Sequence, residues 1–268
     1  MTPAEVLANY ENDRFVRPAS VSPKINNRWE QVVFAQLRSE FELVSLSTVC
    51  PLGTSSVLAG IDQNWVVSTV RNTEVVSDLT NVLALECALR RRALLQEQPK
   101  SSQPIHLASS HRVLRAQRFD DPGLLSHFSL LGLVSGGRDR GNYSFELSTI
   151  GLHARTYIKC LKAFLGIEAS LMISVTAFNP SISASMLEEE LLQPIVAQFE
   201  GLETRVDPER SIGRGYYQNL SFQIYVMESS GQLLQLADGG DMDWTRKLLS
   251  NAKERLIISG LGSERVCT

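Results

Sequence analysis

Strand-forming segments in this chain follow one another through short turns instead of alternating one for one with helices. Residues 41–49 (FELVSLSTV), 65–70, 112–119, 128–134, 171–178, 219–227 (NLSFQIYVM), 232–236 and 256–261 are rich in β-branched, aromatic or aliphatic residues, a composition that suits a pleated, half-buried surface. Apolar residues at helical spacing place helices over 27–40, 82–96, 150–165, 183–200 and 242–255, with Asp78 to Asn81 and Ser148-Thr149 as caps. Parallel strands need a long crossover between each pair, whereas Asp120-Asp121-Pro122-Gly123 reads as the turn of a hairpin. The expectation is an α+β fold with a mainly antiparallel sheet flanked by helices. The opening segment, up to Ser22-Pro23, reads as polar and irregular.

The 268 residues are 43% hydrophobic, enough for one large core, so residues 1–268 are expected to form a single domain. Charge narrows the partners. Lys and Arg number 26 against 29 Asp and Glu, which gives no basic field for a phosphate backbone, so nucleic acid is not expected. No apolar run approaches the ~20 residues that span a bilayer, and the first residues carry neither a basic nor an apolar leader pattern. A cytoplasmic protein without a membrane partner is expected.

Cys50, Cys87, Cys160 and Cys267 lie far apart and read as buried free thiols, and the four histidines lack metal-ligand spacing, so no metal site is expected. Arg90-Arg91-Arg92 reads as a solvated helix face or an anion site. Residues 135–142 (SGGRDRGN) lack the Lys-Ser/Thr ending of a phosphate-binding loop and read as a mobile loop.

Local wording adds to this pattern. Residues 213–222 (GRGYYQNLSF), 237–243 (ADGGDMD) and 260–265 (GLGSER) resemble, in order, three C-terminal motifs of histidyl-tRNA synthetases and of their paralogue, the regulatory subunit of ATP phosphoribosyltransferase. Upstream, residues 114–117 (LRAQ) with His127-Phe128 look like motif 2 of class II aminoacyl-tRNA synthetases. Residues 77–80 (SDLT) and 41–51 look like the family's amino-acid-binding and motif 1 segments. The resemblance runs from about Asn27 to Arg265 and implies the class II antiparallel sheet.

The same resemblance implies roles. Arg115 and Arg265 take the family's catalytic, phosphate-binding positions, and Arg115, Gln117, Glu264 and Arg265 those that hold ATP with Mg²⁺. Forked guanidinium donors suit such anions. Asp78 and Thr80 take the positions that hold a substrate amino group, or else simply cap a helix. Tyr216 and Tyr217 either line the substrate pocket or pack.

The departures are specific. Ile212 stands at the family's catalytic arginine, Leu130 and Val134 at its histidine-pocket residues, Asp241 at the arginine of its glycine-rich motif, and Leu124-Leu125 at basic or aromatic positions. No anticodon-binding domain is expected. Two functions are therefore expected: a non-catalytic regulatory subunit with a catalytic protein partner and a small amino-acid ligand, or an ATP-dependent ligase that adenylates an amino acid without ordinary tRNA charging. The resemblance also implies a homodimer through the helix around Trp29 and the strand to Pro51.

Overall fold

The computed structural model describes residues 1–37, 40–117 and 126–267. Helices α1 (Pro3–Asn12) and α2 (Pro23–Leu37) lead into strands β1 (Glu42–Leu43) and β2 (Val49–Pro51), a π-helical turn (Thr54–Leu58) and a 3₁₀ turn (Gln63–Trp65). Strands β3 (Ser68–Thr69) and β4 (Thr73–Val75) precede helix α3 (Leu79–Glu97) and the long strands β5 (Ile105–Leu114) and β6 (His127–Arg138). Helix α4 (Ser144–Leu165) and strand β7 (Leu171–Ala177) follow. Then α5 (Ala184–Met186) continues through a π segment (Leu187–Leu192) into α6 (Gln193–Val196). The chain ends with β8 (Glu203–Val206), β9 (Leu220–Met227), β10 (Leu233–Met242), α7 (Trp244–Leu248), β11 (Glu254–Gly262) and α8 (Ser263–Cys267).

Eight strands make one sheet in the order β1-β5-β6-β11-β10-β9-β7-β8, and β2-β4-β3 form a small second sheet. Pairing is antiparallel from β5 through to β7, and only the outer pairs, β1 with β5 and β7 with β8, are parallel. The expected α+β class with a mainly antiparallel sheet is what forms.

Side-chain alternation gives the large sheet two different faces. Leu131 and Leu133 of β6 join Ile257 and Leu261 of β11 in a core closed by α2 and α4, where Ile150, Ala154, Tyr157 and Ile158 are buried. Leu130 and Val134 face the other way with Leu79, Leu83 and Cys87 of α3. Close approach there depends on missing side chains. A Cβ on Gly132 would lie 2.1 Å from Leu79 Cδ1, and one on Gly136 2.5 Å from Cys87 Sγ.

Those glycines correct the sequence reading. Ser135 to Arg138 belong to β6, so the first half of the expected glycine-rich loop is strand, where Gly136 and Gly137 make room for Cys87 and Phe145, and only residues 139–142 stay outside it. Other expectations shift as well. The opening segment forms α1, whose Thr2 and Glu5 make a reciprocal capping box. Of segment 41–49, only Glu42–Leu43 is strand before β2. Strand 65–70 shrinks to Ser68–Thr69, and helix 242–255 to Trp244–Leu248, because both flanks serve β10 and β11. Helix α4 starts at Ser144 after Tyr143 in the left-handed region at φ 54°, six residues before the expected start, so Ser148-Thr149 is not its cap. The Asp120 to Gly123 turn and Leu124-Leu125 lie outside the described residues.

Within Arg90-Arg91-Arg92, Arg91 is fully buried and holds Glu254 of β11 through Nε at 2.8 Å and Nη2 at 2.9 Å. Its Nη1 also donates to the Gln103 carbonyl at 2.6 Å. The middle arginine is therefore a structural tether. Trp29 is likewise buried inside the chain, edge-on to Phe164, so its side chain is not on a surface that a partner could cover. All four cysteines are buried free thiols, and among the described residues no helix is long and apolar enough to cross a membrane.

Candidate functional site

A cavity of about 720 Å³ opens on the α3 face of the large sheet, between the start of that helix, the end of β5, the loop before β9, and α8. Asp78, Thr80, Arg115, Gln117, Tyr216, Tyr217, Glu264 and Arg265 all line it. Segments distant in sequence thus bring all eight expected site residues to one place.

Of its two expected roles, Asp78 shows the helix cap. Its Oδ1 accepts from the Thr80 amide at 2.9 Å and the Thr80 hydroxyl at 2.8 Å, which caps α3. Its Oδ2 faces Arg115 Nη2 at 3.1 Å. Thr80 is thereby spent on fixing the aspartate. Arg115 also donates Nε to the Ser77 carbonyl at 3.2 Å and lies over the Phe128 ring, 5.0 Å from its centroid.

Tyr217 is packed and Tyr216 is half-buried beside it, their ring centroids 5.0 Å apart. Burial pushes both phenols above their usual range, so both stay neutral donors. The turn that sets them down needs glycine. Gly213 has φ +87°, and the Tyr217 amide donates to its carbonyl at 2.9 Å.

Two residues missed in the sequence support this wall, Asp238 lining it and Arg210 holding Asp238 from behind. Arg210 is buried and reaches Ser221 Oγ at 2.9 Å and the Asp238 carboxylate at 3.1 and 3.3 Å. Burial raises the Asp238 carboxyl above its ordinary range, and the Arg210 charge opposes that rise. Asp238 lies within the 237–243 segment but drew no role there, and Arg210 lies in no motif; the fold of the loop before β9 brings it to β10. Across from Asp238 on β11, a Cβ built on Gly260 would meet nothing within 4 Å. That glycine leaves open floor.

ATP with Mg²⁺ is the group the resemblance implies, and most of the side chains that would hold it are engaged within the chain. Ile212, at the expected cation position, is 76% exposed on the cavity rim; of the guanidiniums two residues to either side, Arg210 is committed to Asp238 and Arg214 lies over the Phe178 ring, 5.3 Å from its centroid. Glu264 accepts from Arg112 and from the Ser129 amide at 3.3 Å. Arg265 donates to the Gln235 carbonyl at 3.1 Å. Among the described residues no group of three His, Cys, Asp or Glu side chains could hold a metal ion.

This architecture is that of a class II aminoacyl-tRNA synthetase-like core. The chain is similar to an ATP phosphoribosyltransferase regulatory subunit/histidyl-tRNA synthetase from Bacillus halodurans C, with a TM-score of 0.67 and 13% identity over 94% of this chain and 82% of that one. Apo histidyl-tRNA synthetase of S. aureus gives 0.67 and 15% over 92% of this chain and 66% of its own. Pyrrolysyl-tRNA synthetase from Desulfitobacterium hafniense gives 0.55 and 15% over 98% and 73%. No protein-family model and no curated protein sequence matches the chain. At such identities the likeness defines the fold, and function has to be argued from the site.

Proposed function

We propose that the protein is a synthetase-like regulatory subunit that binds a small amino acid in this cavity and passes that binding to a catalytic protein partner. The Asp78–Arg115 pair carries the reading. Its charges are arranged as an amino acid's head group would need them, carboxylate for the ammonium and guanidinium for the carboxylate. Both side chains are part-exposed, so a ligand can exchange with the internal pair at modest cost.

The lost chemistry supports binding without activation. Ile212 offers no charge to a transition state, and the Arg210 guanidinium is held by Asp238. Binding would act on the partner as a coupling free energy between two sites. The chain is also proposed to pair as a homodimer through the region of β1 and β2, where Leu43 and Leu52 are exposed. Sedimentation of a Leu43→Asp, Leu52→Asp double variant tests that surface.

Arg265, Arg115 and Gln117 lining the same cavity favour a second reading, an ATP-dependent ligase that adenylates an amino acid. Amino-acid-dependent exchange of labelled pyrophosphate into ATP decides between the two. The regulatory reading expects amino-acid binding by calorimetry and no exchange with any amino acid. Exchange that disappears in Arg115→Ala and Arg265→Ala would replace it with the ligase.

A further inference from the structure

Asn81 lies in the first turn of α3, three residues after Asp78, and lines the same cavity. Only 1% of it is exposed, and neither its side-chain oxygen nor its nitrogen has a hydrogen-bond partner. That is unusual, because a carboxamide offers two donors and two acceptor lone pairs and buried ones are almost always satisfied. Packing does not account for it. Leu79 and Leu83 on the same helix fill the adjoining core, and an apolar side chain at position 81 would do the same without an orphaned dipole.

The neighbours do not absorb it either. Thr80 spends its hydroxyl on Asp78, and Tyr216, Tyr217 and Ile258 line the same cavity as rings and a methyl-bearing chain. Residues three apart on a helix are neighbours, with Cβ atoms about 5–6 Å from each other. Asp78 at the cap and Asn81 in the first turn line the same cavity, so a ligand whose ammonium meets Asp78 can reach Asn81 with its own side chain.

We infer that Asn81 is the specificity-determining residue of the cavity, and that its ligand is an amino acid whose side chain ends in a primary carboxamide. This rests on the amino-acid-binding reading of the Asp78–Arg115 pair. A carboxamide donates to the Asn81 oxygen and accepts from its nitrogen, using both orphaned groups at once. An apolar isostere leaves them unpaired, the situation that gives a polar pocket its largest discrimination. A carboxylate isostere brings a charge that a neutral amide does not balance.

The test is calorimetric titration of the full chain with L-asparagine and L-glutamine against L-leucine, L-methionine, L-aspartate and L-glutamate, in wild type, Asn81→Leu and Asn81→Ala. The expected result is at least tenfold tighter binding of one carboxamide amino acid than of its apolar and acidic isosteres. That preference falls to less than threefold in Asn81→Leu, and the variant melts no lower than wild type because it removes an unsatisfied group. Asn81→Ala serves the same comparison if the leucine variant does not fold. Amino-acid binding by wild type without this preference, or a preference that survives both substitutions, overturns the role of Asn81 and leaves the head-group reading standing. No binding of any amino acid by wild type overturns that reading, and this one with it.

Discussion

Two arginine–carboxylate pairs anchor helix α3, one at its start and one near its end, and they are built differently. Arg91 and Glu254 are both 0% exposed, meet through two nitrogen–oxygen contacts, and have two backbone carbonyls, of Gln103 and Ser101, on the remaining donors. Arg115 and Asp78 are 38% and 28% exposed and meet through one contact at 3.1 Å. The first pair is saturated and dry, so nothing can replace either partner. The second is wet and singly bonded beside a cavity, so a ligand can. One chemistry thus serves structure at one end of the helix and recognition at the other.

Removing one partner of the dry pair is expected to have the largest effect. Arg91→Ala strands the Glu254 charge in the core and should cost about 3–5 kcal/mol in chemical denaturation. Arg115→Ala and Asp78→Asn should cost under about 1 kcal/mol in the same measurement. A loss from Arg115→Ala as large as that from Arg91→Ala would erase the distinction.

The wet pair should dominate binding instead. Arg115→Ala removes a charge-assisted contact of about 1.5–3 kcal/mol, or roughly 10- to 100-fold in affinity, while Arg91→Lys, if folded, should bind as wild type does. Calorimetric titration of both variants reads the contrast.

His153 sharpens it from the opposite face of the sheet. It is fully buried and bonded to Ser135 Oγ at 2.7 Å and Ser259 Oγ at 2.8 Å, and burial with the nearby His106 holds its pKa well below 6.5. The folded state therefore binds fewer protons than the unfolded one at acid pH. Stability from this group is complete above about pH 6.5 and is lost as pH falls below it, by at most about 1.4 kcal/mol per pH unit. His153→Gln should show a shallower decline between pH 6.5 and 5 than wild type in denaturation series, while His106 and His111, also shifted down by burial, keep their share.

The smallest change in stability belongs to Gly260. A methyl group there meets no atom and should leave stability unchanged or raise it by about 0.5 kcal/mol, since strand glycine is entropically costly. Gly260→Val should fill the floor and abolish amino-acid binding with melting unchanged. Full binding by that variant would place the ligand elsewhere in the cavity.

Local signals carried part of this structure into the sequence. Asp78 with Thr80 announced the start of α3 because capping is decided within a few residues, and the aliphatic run 128–134 announced β6. The Thr2 and Glu5 capping box was equally local and its signal stood unread. Gly136 and Gly137 misled because glycine is read as a turn residue, while here it makes room for Cys87 and Phe145, atoms that only the tertiary fold brings near. The apolar spacing of 242–255 suited a helix, but β10 and β11 take both its ends through sheet pairing. For the site, motif order placed eight residues around one cavity. Asp238, Asn81 and Gly260 stood inside segments that the sequence marks out, but their roles, like that of Arg210, depend on tertiary contacts and on an unfilled volume, neither of which has a sequence signature.

Calorimetric titration of the protein with single amino acids, in the absence of ATP and with Arg115→Ala as its control, tests the central claim most directly. Saturable heat from at least one amino acid in wild type, lost in the variant, is the predicted result. Heat that appears only when ATP is present, or is the same in both proteins, would contradict a head-group site formed by Asp78 and Arg115.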